Sequence, residues 1–170
     1  ERCKDIVNQR DIEILEDCCE SQGAKINGIN VGNLGLAGTF SFYWGHHMTT
    51  IEGGMICTNN EDLYKLLLLK RSHGLARELP TKYHGEIKSK YPNLDFNFMF
   101  LTDGFNTRNT EFNAVLGLVQ LGKINELIAI RNRNYLKFIE ICKTFCDELI
   151  ILESKGISSF VFPFIFYEKE

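Results

Sequence analysis

The spacing of apolar and polar positions divides the chain into a strand-and-loop first half and a mainly helical second half. Residues 12–16 (IEILE) form a short apolar run that reads as a buried strand, closed by Glu16-Asp17. The carboxyl end of such a strand is where α/β proteins place their ligands. The next stretch carries Gly23, Gly28, Gly32, Gly35 and Gly38 with asparagines between them, which predicts turns and hairpins over a surface. Residues 39–43 (TFSFY) alternate bulky and small side chains and predict another strand. Residues 54–58 (GMICT) predict a third, with 44–53 as the connecting loop.

Asn60 is a candidate N-cap with Asp62 in the first turn, and 63–71 reads as the helix it opens. Ser72-His73-Gly74 ends that helix, with Gly74 at C′. Residues 75–97 are polar, contain Pro80 and Pro92, and predict a long irregular loop, of the kind that is functional or mobile in a compact domain. Helical spacing returns at 110–121 (Phe112, Val115, Leu116, Val119). It continues at 124–149, a long amphipathic helix with the stripe Leu127, Ile130, Leu136, Ile139, Ile141 and Phe145. Residues 159–166 (SFVFPFIF) predict a closing strand. The order of elements is that of an α/β protein, with a boundary near 121–127 where the long helix leads into a second, smaller domain.

Composition mainly excludes classes. The chain has 170 residues, 44% hydrophobic and 24% charged, with 19 basic and 22 acidic side chains mixed along it and a net charge of −3. No basic block suggests a nucleic-acid surface, and no apolar run is long enough to cross a bilayer. The six cysteines, Cys3, Cys18, Cys19, Cys57, Cys142 and Cys146, show no metal-site spacing and read as small buried hydrophobes in a reducing compartment. No metal site is expected, and the cytoplasm is the expected location. The chain opens on Glu1 within a polar segment and closes on Glu170 after a strand-like run, so it reads as an internal piece of a longer protein.

Five blocks, in order, carry a resemblance: ILEDCCESQGA (14–24), FSFYWGHHMTTIEGG (40–54), RSHG (71–74), DGFNTRNTEFNAVLGLVQ (103–120) and RNRN (131–134). Together they resemble the DegT/DnrJ/EryC1/StrS sugar aminotransferase family, whose members are fold-type-I pyridoxal-phosphate (PLP) enzymes. The resemblance implies an aspartate-aminotransferase-like three-layer large domain, of which residues 1–122 are the C-terminal part. Residues 123–170 are then the linking helix and the start of a small domain. It also implies a homodimer.

The resemblance gives each block a role. An acid beside the pyridine nitrogen keeps that nitrogen protonated, so the ring can accept electrons; Asp17 takes this position, where on its own it would read as a surface or capping acid. Glu20 is either a residue near the ring hydroxyl or a solvated helix residue. Ser41 resembles the family's phosphate-binding hydroxyl. Asn106 resembles the asparagine that reaches the cofactor phosphate of the neighbouring subunit, with Arg108 and Glu111 steadying that loop and the helix start.

In most members the first residue of the pair at 46–47 is a lysine that anchors the cofactor covalently and then shuttles protons. This chain has His46-His47. Histidine does not provide that anchor, but it serves as a general base near neutral pH. One subgroup of the family makes this swap, the nucleotide-sugar 3-dehydratases, which work with pyridoxamine phosphate (PMP). Their base takes a proton from the cofactor's C4′ carbon, and the C3 hydroxyl of a 4-keto sugar leaves. His46 fits that base, His47 reads as a supporting residue, and His73 and His84 read as structural.

One branch of the subgroup holds a [2Fe–2S] cluster on four cysteines downstream of the SHG block. Residues 75–109 contain no cysteine, so no iron–sulfur cluster is expected. The other branch acts on GDP-4-keto-6-deoxymannose with glutamate as amino donor. The reading is therefore 3-dehydration of a nucleotide-linked 4-keto-6-deoxy sugar in deoxysugar and O-antigen biosynthesis. The alternatives are an ordinary nucleotide-sugar aminotransferase and a non-catalytic relative that has kept the fold.

Overall fold

The computed structural model describes residues 6–7, 10, 12–145, 150 and 155–166. They divide into two compact units, one built from the parts of the chain before Thr58 and after Thr110, the other from Thr58–Thr110.

The first unit holds a three-stranded sheet in the order β1-β4-β5: β1 (Leu15–Asp17), β4 (Ala37–Ser41) and β5 (Gly54–Thr58). Strands β1 and β4 are parallel, with Leu15 opposite Ala37 and Asp17 opposite Thr39. Between them β2 (Lys25–Ile26) and β3 (Ile29–Asn30) make an antiparallel hairpin. Asn27 (φ 52°) and Gly28 (φ 82°) both take the left-handed conformation that a two-residue hairpin loop needs. The third predicted strand falls where β5 lies. The second sits two residues earlier than its alternation suggested. The first begins at Leu15 and includes the acid pair.

That first strand is also not buried, contrary to expectation. Leu15 within it is 69% exposed, and Ile12 just before it is 52% exposed.

The glycine-rich turn is fixed by a carboxylate. The Glu16 side chain accepts from the backbone N–H groups of Gly32 (2.7 Å), Leu34 (2.6 Å) and Gly35 (2.8 Å). Bonds of this charge-assisted kind contribute roughly 1.5–3 kcal/mol each. The turn then lies so close to the sheet that a Cβ on Gly38 would come within 2.3 Å of Gly32 Cα.

Helices α3 (Glu111–Leu121) and α4 (Ile124–Phe145) complete this unit. The predicted stripe of α3 does not face the core: Phe112 is 84% exposed and Val115 62%, while the buried position is Gly117. In α4, Leu136 and Ile141 are exposed and Tyr135 is buried instead. The reason is the 155–166 segment. Phe162 stacks on Tyr135 and Phe138, and Phe164 meets Phe138 edge-on. That segment is extended but is not the predicted strand. Apart from Ile150 N–H donating to Ile165 O (2.8 Å) and a bridge at Phe166, its described residues form no ladder. The end of the predicted long helix, 146–149, lies outside the described residues, as do Cys3 and Cys146.

In the second unit, α1 (Glu61–Arg71) starts at the predicted cap, with Asn60 Oδ1 accepting from Leu63 N–H (2.9 Å). Its end differs by one residue from expectation. Ser72 is the C-cap, His73 (φ 60°) takes C′, and Gly74 N–H closes the turn on Leu69 O (2.8 Å). The predicted loop at 75–97 contains short 3-10 turns and a helix, α2 (His84–Lys90). This helix has no apolar stripe to reveal it. Glu86 in its first turn and Lys88 and Lys90 in its last suit the helix dipole. No single helix among the described residues is long and apolar enough to cross a membrane.

Candidate active site

Asp17 and Ser41 end adjacent parallel strands. The ladder continues one step past Asp17, with Cys18 N–H donating to Thr39 O (2.9 Å), so Asp17 sits beside Thr39 and Ser41 lies two residues further on. Both side chains thus belong to the carboxyl edge of the sheet. Asp17 is exposed, and its Oδ1 accepts from Cys19 N–H at 3.1 Å. A hydrogen bond from the Cys19 thiol, then the Cys19 amide, then the nearby His46 hold its carboxyl below the usual carboxylate range. The same contact with Asp17, followed by burial, pushes the Cys19 thiol up. Burial, then Glu16 and Asp17, push the Cys18 thiol up to about 11. Neither cysteine is a thiolate near neutral pH.

The Ser41 Oγ accepts from Tyr43 N–H (3.2 Å) and its carbonyl accepts from the Gln22 side chain (2.7 Å). Among the described residues the hydroxyl proton of Ser41 has no acceptor.

His46 lies in the 42–53 loop. Phe42 anchors both ends of that loop, its N–H donating to Gly53 O (2.8 Å) and its carbonyl accepting from Thr50 N–H (2.9 Å). Helix α3 holds the loop from beneath through Asn113 Nδ2, which donates to Thr50 O (2.7 Å) and Glu52 O (3.2 Å). Gly117 keeps the contact close, since a Cβ there would come within 3.1 Å of Thr50 Cγ2. The His46 ring is half-buried, edge-on to Tyr43 (5.6 Å between centroids) and to Phe160 (5.5 Å). Its Nδ1 is buried and has no hydrogen-bond partner among the described residues.

His47 is buried at 3% exposure, with its Nε2 3.2 Å from Ser158 Oγ and its ring 5.5 Å from Phe160. Burial first, then the Arg131 guanidinium, hold its pKa below the ordinary histidine value. It is a neutral packed ring, in keeping with a supporting role.

The fold therefore brings Asp17, Ser41 and His46 into one unit. Glu20 belongs to the same unit and is solvated, on turns and not on the helix that one of its two readings assumed. Successive turns, Ser21 N–H to Cys18 O and Ala24 N–H to Ser21 O, leave Glu20 exposed, and Gln22 is the buried polar residue of this stretch. Asn106 belongs to the second unit, where it forms an isolated antiparallel bridge with Ser72. Sequence reasoning assigned no role to Cys19, Gln22, Asn113 or Ser158. Their contacts with the site were not inferred, and a small polar residue in a turn or an aromatic run gives little signal.

Comparison with solved structures defines the class. The structure superposes on an E. coli GDP-4-keto-6-deoxy-D-mannose-3-dehydratase with bound hydrated PLP at TM-score 0.81 and 34% identity, over 98% of this chain and 43% of that one. The fold is thus the α/β fold of PLP-dependent aminotransferases, present in part. A family model described as the DegT/DnrJ/EryC1/StrS aminotransferase family matches residues 1–154, and the chain belongs to that family.

Among curated relatives, the GDP-4-keto-6-deoxy-D-mannose 3-dehydratase of Yersinia pseudotuberculosis is 40% identical over 136 residues. That match covers 80% of this chain and 35% of the relative. A further structure, of a GDP-4-keto-6-deoxymannose-3-dehydratase with a trapped PLP-glutamate geminal diamine, matches at TM-score 0.84 and 34% identity, over 99% of this chain and 44% of that one. The chain spans less than half the length of each of these relatives.

Proposed function

We propose that this protein is a PLP/PMP-dependent 3-dehydratase of a nucleotide-linked 4-keto-6-deoxy sugar, taking its amine from glutamate. The observation that carries the reading is His46, which stands at the family's lysine position with a buried Nδ1 that has no hydrogen-bond partner among the described residues. The similarity to GDP-sugar 3-dehydratases supports GDP as the nucleotide.

The residues present fit the cofactor. Asp17 is kept ionised at a strand end and is suited to a protonated pyridine nitrogen. Ser41 has a hydroxyl proton to give a phosphate oxygen. When bound, the cofactor supplies an amine that condenses with the sugar's 4-keto carbon and a ring that takes up electrons.

The protein's residues do the rest. Asp17 holds the proton on the ring nitrogen. His46, with no covalent link to make, takes the proton from the cofactor's C4′ carbon as the C3 hydroxyl leaves. Glu20 lies near the ring hydroxyl in this reading, and Asn106 reaches the cofactor phosphate of the second subunit of a homodimer. Residues 1–122 belong to the cofactor-binding domain and 123–170 lead into the small one. The reaction needs no iron–sulfur cluster, and the protein works in the cytoplasm on a soluble sugar nucleotide, with no nucleic-acid partner.

The fate of the amine nitrogen tests this. Full-length protein is incubated with PLP, ¹⁵N-glutamate and a GDP-linked 4-keto-6-deoxy hexose. The label is expected in free ammonia, with 2-oxoglutarate formed alongside. Label retained in a stable 4-amino sugar would instead make the protein an aminotransferase, and no consumption of glutamate would make it a non-catalytic relative.

A further inference from the structure

We propose that Ser158 and Asn132 are positioning residues that set the orientation of His46 through Phe160 and His47. This rests on the reading of His46 as the base.

The segment at 155–160 joins the site from far along the chain. Its backbone is tied to β2, with Lys25 N–H donating to Gly156 O (2.8 Å). Helix α4 holds it from the other side. Asn132 Nδ2 donates to Ile157 O (2.8 Å) while its Oδ1 accepts from Ser159 N–H (2.8 Å). One amide thus brackets Ser158 on both sides, as a paired strand would. Next to it, the Arg131 guanidinium lies 5.8 Å from the Phe160 ring centroid. Held this way, Phe160 lies edge-on to His46 at 75° and tilted on His47 at 36°.

The hydrogen bonds of Ser158 also fix the state of His47. Its hydroxyl has one proton and donates it to Gln22 O. The remaining contact, 3.2 Å to His47 Nε2, must then be donated by the ring. A neutral ring with its proton on Nε2 leaves the lone pair on Nδ1, the atom that is buried with no hydrogen-bond partner among the described residues. The serine therefore joins three parts of the unit: the turn carrying Gln22, the histidine pair and the segment held by α4.

The test uses full-length protein and three variants. Ser158→Ala is expected to lower kcat about tenfold, as a modest misplacement of a reacting group does, with KM for the sugar nucleotide nearly unchanged. Ser158→Thr, which keeps the hydroxyl, is expected to recover most of the loss. Nitrogen-15 spectra of the histidine rings are expected to show His47 protonated at Nε2 in the parent and a mixture of tautomers in Ser158→Ala. Asn132→Asp, which keeps the acceptor for Ser159 N–H and loses the donor to Ile157 O, reads the same contact if Ser158→Ala does not fold. It is expected to lower kcat as well. A Ser158→Ala variant with parental kcat, a loss confined to KM, a Thr variant as impaired as Ala, or a parental His47 protonated at Nδ1 would each overturn the proposal. His46→Asn separates the two levels: if it is inactive while Ser158→Ala is normal, only the positioning claim falls. If His46→Asn remains active, the base assignment fails first.

Discussion

Replacing His46 with asparagine is expected to cut turnover of the full-length enzyme by about 10³-fold, within the range that a general base contributes, while cofactor stays bound. Asparagine approximates the ring's reach and polarity but takes up no proton near neutral pH. The groups proposed to hold the cofactor are not hydrogen-bonded to His46: Asp17 ends β1 and accepts from Cys19, Ser41 ends β4 and accepts from Tyr43 and Gln22, and the influence of His46 on Asp17 is a smaller contribution than that of Cys19. Steady-state turnover and cofactor absorbance, measured on the same sample, check both halves of this expectation. Parental turnover in His46→Asn would remove His46 from the chemistry, and loss of cofactor absorbance would make it a binding residue.

The second large effect is expected at Asp17. Asp17→Asn keeps the shape and removes the charge that holds the ring-nitrogen proton. Loss of one preorganised electrostatic partner lowers turnover by about 10²–10³-fold, and cofactor affinity should fall with it. An Asp17→Asn enzyme close to the parent in kcat would mean that the carboxylate does not face the ring.

The neighbouring thiol gives a pH-dependent counterpart. Cys19 holds the Asp17 carboxyl below its ordinary range, so the charged form persists as pH falls, until the lowered value is passed. Cys19→Ala removes the largest cause of that lowering. The acid limb of the kcat/KM profile should therefore move to higher pH, with the neutral plateau little changed. An unmoved acid limb would show that the thiol does not govern Asp17.

What the sequence revealed follows from how local each signal is. Strand β5 and the Asn60 cap depend on neighbouring residues, and both were legible in place; the hairpin at Asn27-Gly28 lies in a stretch that was legible only as turns and hairpins. Residues 159–166 have the aromatic content of a strand, but a strand needs a ladder partner. Here the aromatic rings of the segment stack on α4 instead. The covered face of α4 was read in part: Leu127, Ile130 and Ile139 of the predicted stripe are half-buried, while Leu136 and Ile141 are exposed. Phe162 and Phe164 of the later segment meet Tyr135 and Phe138 and bring that side of the helix into cover. The exposed stripe of α3 has the spacing of a core helix with no described residues to cover it.

The site shows the same division. Asp17, Ser41 and His46 lie in blocks whose order along the chain was informative, and the fold gathers them in one unit. The shell around them was not legible. Gln22 meets Ser158 across 136 positions and Asn113 reaches Thr50 across 63, and such distances leave no periodic trace. Glu16 was read only as half of an acid pair, although it holds the glycine-rich turn while Asp17 points elsewhere. Glu20 lies on turns after Cys18 that carry the chain toward the hairpin, so neither its spacing nor a helix face gives it a direction.

The central claim is that a histidine, where relatives carry a covalent lysine, moves the proton at the cofactor's C4′ carbon. Pyridoxamine phosphate deuterated at C4′ tests it most directly, when incubated with full-length enzyme and the GDP-linked 4-keto-6-deoxy hexose and then recovered for mass analysis. The parent enzyme is expected to lose one deuterium to solvent, the cofactor being recovered as the singly deuterated aldehyde, and His46→Asn to leave both in place. Loss of deuterium with His46→Asn at the parental rate would contradict the account.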